Sequence, residues 1–158
     1  MKIYLFSIML AAMLILPAAS YCFAGDGWQA NLAISAGKAS SKLTFGQNPA
    51  ATDLEDGFYD VPAMLSGEFR AAFTDGDTAL WRDIRAIGNG TGKEWHLTII
   101  SGTDETINVR WNQQGFPEES RVELYDVDSG ESIDMKLFTS YVLTDRNDAE
   151  LIIKISDI

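Results

Sequence analysis

Cysteine and histidine are almost missing from this chain: one of each stands among 158 residues. The cysteine, Cys22, lies in the first apolar stretch. Whatever follows that stretch can form no internal disulfide and must be held by its core. With one histidine and no downstream cysteine, tetrahedral zinc sites lack their usual ligand sets. His96 is the sole imidazole for a Ser–His–Asp arrangement, and no G-x-S-x-G turn is present to carry a nucleophile. After residue 24 no segment repeats its apolar residues at helical spacing. Positive charge is scarce too: 12 Lys and Arg against 23 Asp and Glu give a net charge of −11. Such a surface repels phosphate backbones. Nucleic acid and anionic membranes are therefore poor partners, while cations, basic proteins and neutral sugars remain.

Long apolar runs are confined to the start. Lys2 precedes an apolar run from Tyr4 to Leu16, which Pro17 breaks. Cys22 and Ala24 then put small residues at the −3 and −1 positions of a cleavage site. Residues 1–24 are thus expected to be a signal peptide cut after Ala24. The run is too short for a spanning helix, which needs about 20 apolar residues. Lipoprotein processing at Cys22 is disfavoured by Tyr21, where a small residue is wanted. Removing 24 residues from 158 leaves 134, enough for one domain over 25–158. The leader holds one lysine and no acid, so the mature charge moves from −11 to −12. The expected location is the periplasm or the outside of the cell, with no membrane insertion once the leader is cut. The chain is expected to act as a small protein in its own right.

What the rest of the chain has is alternation. Trp28, Leu32 and Ile34 share one side of the first predicted strand, Trp28 to Ala36. Leu43 and Phe45 share one side of a second, Lys42 to Phe45. Phe69, Ala71 and Phe73 repeat at period two, and Leu80 to Arg85 is short and extended. Trp95, Leu97 and Ile99 define one strand face, and Ile107, Val109 and Trp111 another. Gly102 to Glu105 joins these two strands as a predicted hairpin. Arg121 to Asp126, Ser132 to Lys136, Ser140 to Thr144 and Leu151 to Ile155 complete the set. About nine short strands at this spacing predict an all-β fold, an antiparallel β-sandwich of immunoglobulin-like or jelly-roll-like type.

One stretch departs from this rhythm. Between Gly46 and Pro62 the chain leaves the sheet and gathers Asp53, Glu55, Asp56 and Asp60, with Phe58 and Tyr59 among them. Calcium takes six to eight oxygens, so these four carboxylates with loop carbonyls form a candidate calcium site. The competing reading is a solvated loop whose Asp53 caps a turn through its own backbone. Calcium is the one cofactor the sequence admits. The Asp126–Glu131 stretch looks superficially like a calcium loop, but it lacks the distant glutamate and reads as a hairpin turn. Trp95 and Trp111 are in phase with aliphatic neighbours and belong to the core. Trp28 and Trp81, at strand margins, join Phe58 and Tyr59 as candidate ligand-binding rings. Asp83 with Arg82 and Arg85 is a candidate structural ion pair. Residues 82 and 85 of a strand point oppositely, so only one arginine is expected to pair.

An order of short motifs runs through the chain: Leu43 to Gly46, Ala51 to Asp53, Tyr59 to Pro62, Asp83 to Arg85, Glu94 to Thr98, Val109 to Trp111, Leu124 to Asp126, and Ser140-Tyr141. In that order, over residues 28–155, the chain resembles the immunoglobulin-like or fibronectin-type-III-like β-sandwich modules of exported bacterial proteins. The resemblance implies a non-catalytic spacer or binding unit. The expected function is therefore a protein-binding accessory or surface-assembly subunit whose partner is another exported or cell-surface protein. The alternative is a carbohydrate-binding module with a structural calcium, whose partner is a polysaccharide. A small glycosidase using paired carboxylates is more distant, because in so acidic a chain such pairs arise by chance.

Overall fold

The computed structural model describes residues 27–88, 92–102 and 105–157, so the signal-peptide expectation for residues 1–24 lies outside the described residues. The fold is all-β. Its strands are β1 (Trp28–Ala36), β2 (Ala39–Asn48), β3 (Val61–Pro62), β4 (Arg70–Asp75), β5 (Thr78–Ala86), β6 (Lys93–Ile100), β7 (Ile107–Trp111), β8 (Ser120–Asp126), β9 (Ser132–Asp134), β10 (Ser140–Leu143) and β11 (Asp148–Asp157). A 3-10 turn, Gln113–Gly115, follows β7.

Alternation builds these strands as expected. On β1, Ala30, Leu32, Ile34 and Ala36 are buried while Asn31 and Ala33 face out. Gly37 and Lys38 form the two-residue link from β1 to β2, with Ala36 opposite Ala39. Gly37 sits at φ 56°, a left-handed angle that tight hairpin turns require and glycine adopts without steric cost. β6 buries Trp95, Leu97 and Ile99 and leaves His96 exposed beside Glu94. Phe45 stands at the centre of the core, edge-on to Trp28, Phe73 and Trp95 at 5.6, 5.9 and 5.3 Å. Such edge-to-face contacts add stabilisation beyond the area they bury.

The pairing departs from the sequence expectation in three ways. First, all eleven strands belong to one sheet, ordered β10-β7-β1-β2-β5-β4-β6-β11-β8-β9 with β3 attached to β5, and the sheet curls nearly into a barrel. Second, β2 and β5 run parallel, Phe45 beside Asp83 and Gln47 beside Arg85. A parallel pair needs a long crossover, and the excursion from residue 49 to 77 supplies it. Third, β6 and β7 are not a hairpin. β6 lies between β4 and β11, and β7 between β1 and β10. β11 is a ten-residue strand whose buried Ala149, Leu151 and Ile153 match Ile99, Leu97 and Trp95, a longer apolar register than five-residue β7 offers.

Side chains close the seam between the first and last strands of this order. The indole of Trp111 donates to the carbonyls of Met135 and Phe138, both at 2.8 Å. From β10, the hydroxyl of Tyr141 donates to Asp126 at the end of β8, at 2.8 Å. Among the described residues no buried side-chain polar atom lacks a partner.

Candidate functional site

The excursion between β2 and β3 is ordered by its own carboxylates. Asp56 accepts hydrogen bonds from the backbone N–H groups of Thr52 at 3.1 Å and Tyr59 at 2.9 Å. The Thr52 N–H contributes most to holding the Asp56 carboxyl below the ordinary range; the Tyr59 N–H adds to it. Asp60 is buried and bridges loop and sheet: it accepts from Asp56 N–H at 2.8 Å and from Ile84 N–H of β5 at 2.9 Å. From the same strand, Arg82 donates through Nε to the Tyr59 carbonyl at 2.6 Å and through Nη2 to the Phe58 carbonyl at 3.1 Å. Phe58 and Tyr59 are thus fixed at a turn held from both sides.

The four acids of the candidate calcium site go to separate partners. Asp53 pairs with Lys93 at 2.6 Å, and Glu55 accepts from the Thr78 hydroxyl at 3.3 Å. Asp56 and Asp60 serve the loop backbone as described. Among the described residues no group of three or more His, Cys, Asp or Glu is placed to hold a metal ion.

Three of the four candidate ligand-binding rings meet at one cleft. Trp28, Phe58 and Tyr59 line a hollow of about 460 Å³ with Gly27, Gln29, Gln47, Asn48, Arg82 and Ile84. Gly46 allows β1 to cross this closely: an added Cβ would lie 2.1 Å from the Trp28 carbonyl oxygen. Trp28 is half-buried, its indole N–H held at 3.0 Å by Gln47, which in turn donates to the Ala86 carbonyl at 3.1 Å. Phe58 is 81% exposed and edge-on to Tyr59. Trp81 is not part of the cleft; it packs against the core. Among the described residues no carboxylate lines the cleft.

Arg85, not Arg82, is the partner of Asp83. Residues 83 and 85 share a strand face, and the ion pair closes at 2.9 Å with Arg85 lying over the Trp95 ring. Burial dominates at Asp83 and raises its carboxyl above the ordinary range despite the arginine.

A second carboxylate centre was not legible in the sequence. Asp126 is fully buried and takes hydrogen bonds from Arg146, from Tyr141, and from the N–H groups of Asp128 at 3.1 Å and Ser129 at 3.4 Å. Burial works to raise this carboxyl, but Arg146 and Tyr141 outweigh it and hold the group well below the carboxylate range. Arg146 lies 20 residues from Asp126, and no local pattern links them. The amides of the cleft were also missed; Gln47 and Asn48 directly after Gly46 were the available signal.

No protein-family model, no curated protein and no solved structure matches the chain significantly.

Proposed function

We propose that the protein is a non-catalytic, exported all-β module that binds another exported or cell-surface protein through residues 54–65. One observation carries this reading. Leu54, Met64 and Leu65 are 76%, 77% and 43% exposed, on a segment that Asp56, Asp60 and Arg82 hold in place. Large apolar side chains kept in water by a rigid loop are the usual mark of a contact surface. Acids flank them, Asp53 and Glu55 among them, so the partner would present an apolar hollow rimmed by lysine or arginine. The order of motifs shared with immunoglobulin-like modules supports the same reading.

The test is capture from the exported fraction with the tagged protein, compared with a Leu54→Ser/Met64→Ser variant. Retention of the same partner by wild type and loss by the variant, at unchanged melting temperature, is expected. Equal capture by both would remove this surface from consideration.

A further inference from the structure

We infer that the cleft beside the 58–59 turn binds a neutral oligosaccharide, with Phe58 and Tyr59 stacking on sugar rings while Arg82, Gln29 and Asn48 hydrogen-bond their hydroxyls. The cleft shares Phe58 and Tyr59 with the segment proposed above but is lined by none of Leu54, Met64 and Leu65. Its volume of about 460 Å³ falls among small-ligand sites, roughly 300–1,000 Å³. Its lining mixes flat apolar rings with amides, and a pyranose presents the same mixture, with C–H faces bounded by a rim of hydroxyls. A purely apolar partner would leave those amides desolvated and unpaired.

Arg82 strengthens the case. Its two bonds to the Phe58 and Tyr59 carbonyls leave the Nη1 amino group and one Nη2 hydrogen without a partner among the described residues. Among the described residues no acid lines this cleft, so the arginine faces an opening where a ligand can supply acceptors in place of water. Neutral sugar is favoured over a uronate because Asp53, Glu55 and Asp56 lie on the adjoining loop and the whole chain is anionic. The inference is one of binding alone, with no bond made or broken.

The experiment is a titration of the protein with cellohexaose, maltohexaose and chitohexaose to about 10 mM. It is followed by tryptophan emission and by backbone amide shifts in nuclear magnetic resonance. Saturable shifts at Gln29, Asn48, Phe58 and Tyr59 with at least one probe are expected. Phe58→Ala should weaken that binding about tenfold, the scale of one lost stacking contact. Because Phe58 is so exposed, the variant should melt with wild type. Leu54→Ser, outside the cleft, should bind sugar normally even if partner capture is lost, which keeps the two proposals distinguishable. Silence with all three probes, shifts that persist unchanged in Phe58→Ala, or tighter binding of hexagalacturonate would each overturn the inference.

Discussion

Asp83 and Asp126 are both buried aspartates that meet an arginine, and their acidities move in opposite directions. Asp83 has Arg85 as its hydrogen-bond donor, at 2.9–3.2 Å, and burial leaves its carboxyl raised. Asp126 has Arg146, the Tyr141 hydroxyl and two backbone N–H groups, and its carboxyl is lowered. The difference shows that one arginine does not settle a buried carboxylate. The number of donors that remain after desolvation does. The two centres therefore have different roles in stability. Asp126 fastens the β8–β9 turn to β10 and to the segment before β11. Asp83 carries a charge that the core tolerates at some cost.

The largest effect should follow from breaking the stronger centre. Arg146→Met leaves the buried Asp126 charge without its counter-ion, which costs about 3–5 kcal/mol in comparable pairs. Urea denaturation of the variant should show a correspondingly lower midpoint at unchanged slope. Adding Asp126→Asn to Arg146→Met should recover part of that loss, because the orphaned charge is gone. No recovery in the double variant would mean that the pair's geometry, not its charge, matters.

Asp60 ranks next. Asp60→Ala strands the Ile84 and Asp56 N–H groups, and each unsatisfied buried donor costs about 1–3 kcal/mol. The exposed end of that pair can find water, so the lower part of the range is expected. Amide exchange should quicken at residues 54–60 before it changes in β6 or β11. A uniform change across the sheet would contradict the view of this loop as a separately fastened unit.

Acid titration reads the comparison directly. The folded Asp126 carboxyl lies below its unfolded value of about 3.9. Its stabilisation is present above that value and is lost as pH falls through the folded value. Asp83 has the reverse sign. Its folded value is raised, so acidification between about 3.9 and that raised value favours the folded state. Asp126→Asn should therefore flatten the fall in stability below about pH 4, and Asp83→Asn should remove a small gain in stability on acidification just above it. At neutral pH Asp83→Asn should cost about 1 kcal/mol or less, since relief of burial offsets the lost pair. A cost equal to that of Asp126→Asn would show that counting donors is the wrong explanation.

How much of this was legible follows the same division between local and distant. Alternation fixed which residues of β1 and β6 face inward, because a strand's period of two is written in adjacent residues such as Trp95, His96 and Leu97. It did not identify the neighbouring strand. The parallel β2–β5 pair and the separation of β6 from β7 depend on registers tens of residues apart. β3 is two residues long and could not be told from loop. At the site, Trp28, Phe58 and Tyr59 were legible as margin or loop aromatics, whereas Trp81 differs from them only in what the curled sheet places over it. Asp83 was expected to pair once, and strand parity explains why Arg85 was available and Arg82 was not. Arg146 carried no signal, because its partner is defined by the seam of the sheet.

The smallest effect belongs to Asp53, and it limits the comparison from the other side. Its pair with Lys93 is short at 2.6 Å, yet the Asp53 side chain is 54% exposed. Water already solvates this carboxylate in the unfolded chain and in the folded one, so little is gained on pairing. Asp53→Asn should cost about 0.2–1 kcal/mol, and molar salt should shrink even that, since the Debye length falls from about 10 Å at 0.1 M to about 3 Å at 1 M. Melting temperatures of wild type and Asp53→Asn, in low salt and in molar salt, should therefore converge. Arg146→Met should keep its deficit in both, because buried charges are screened much less. If the Asp53 deficit persisted in high salt, the tether between loop and β6 would be more than an ion pair, and exposure would no longer predict which aspartates matter.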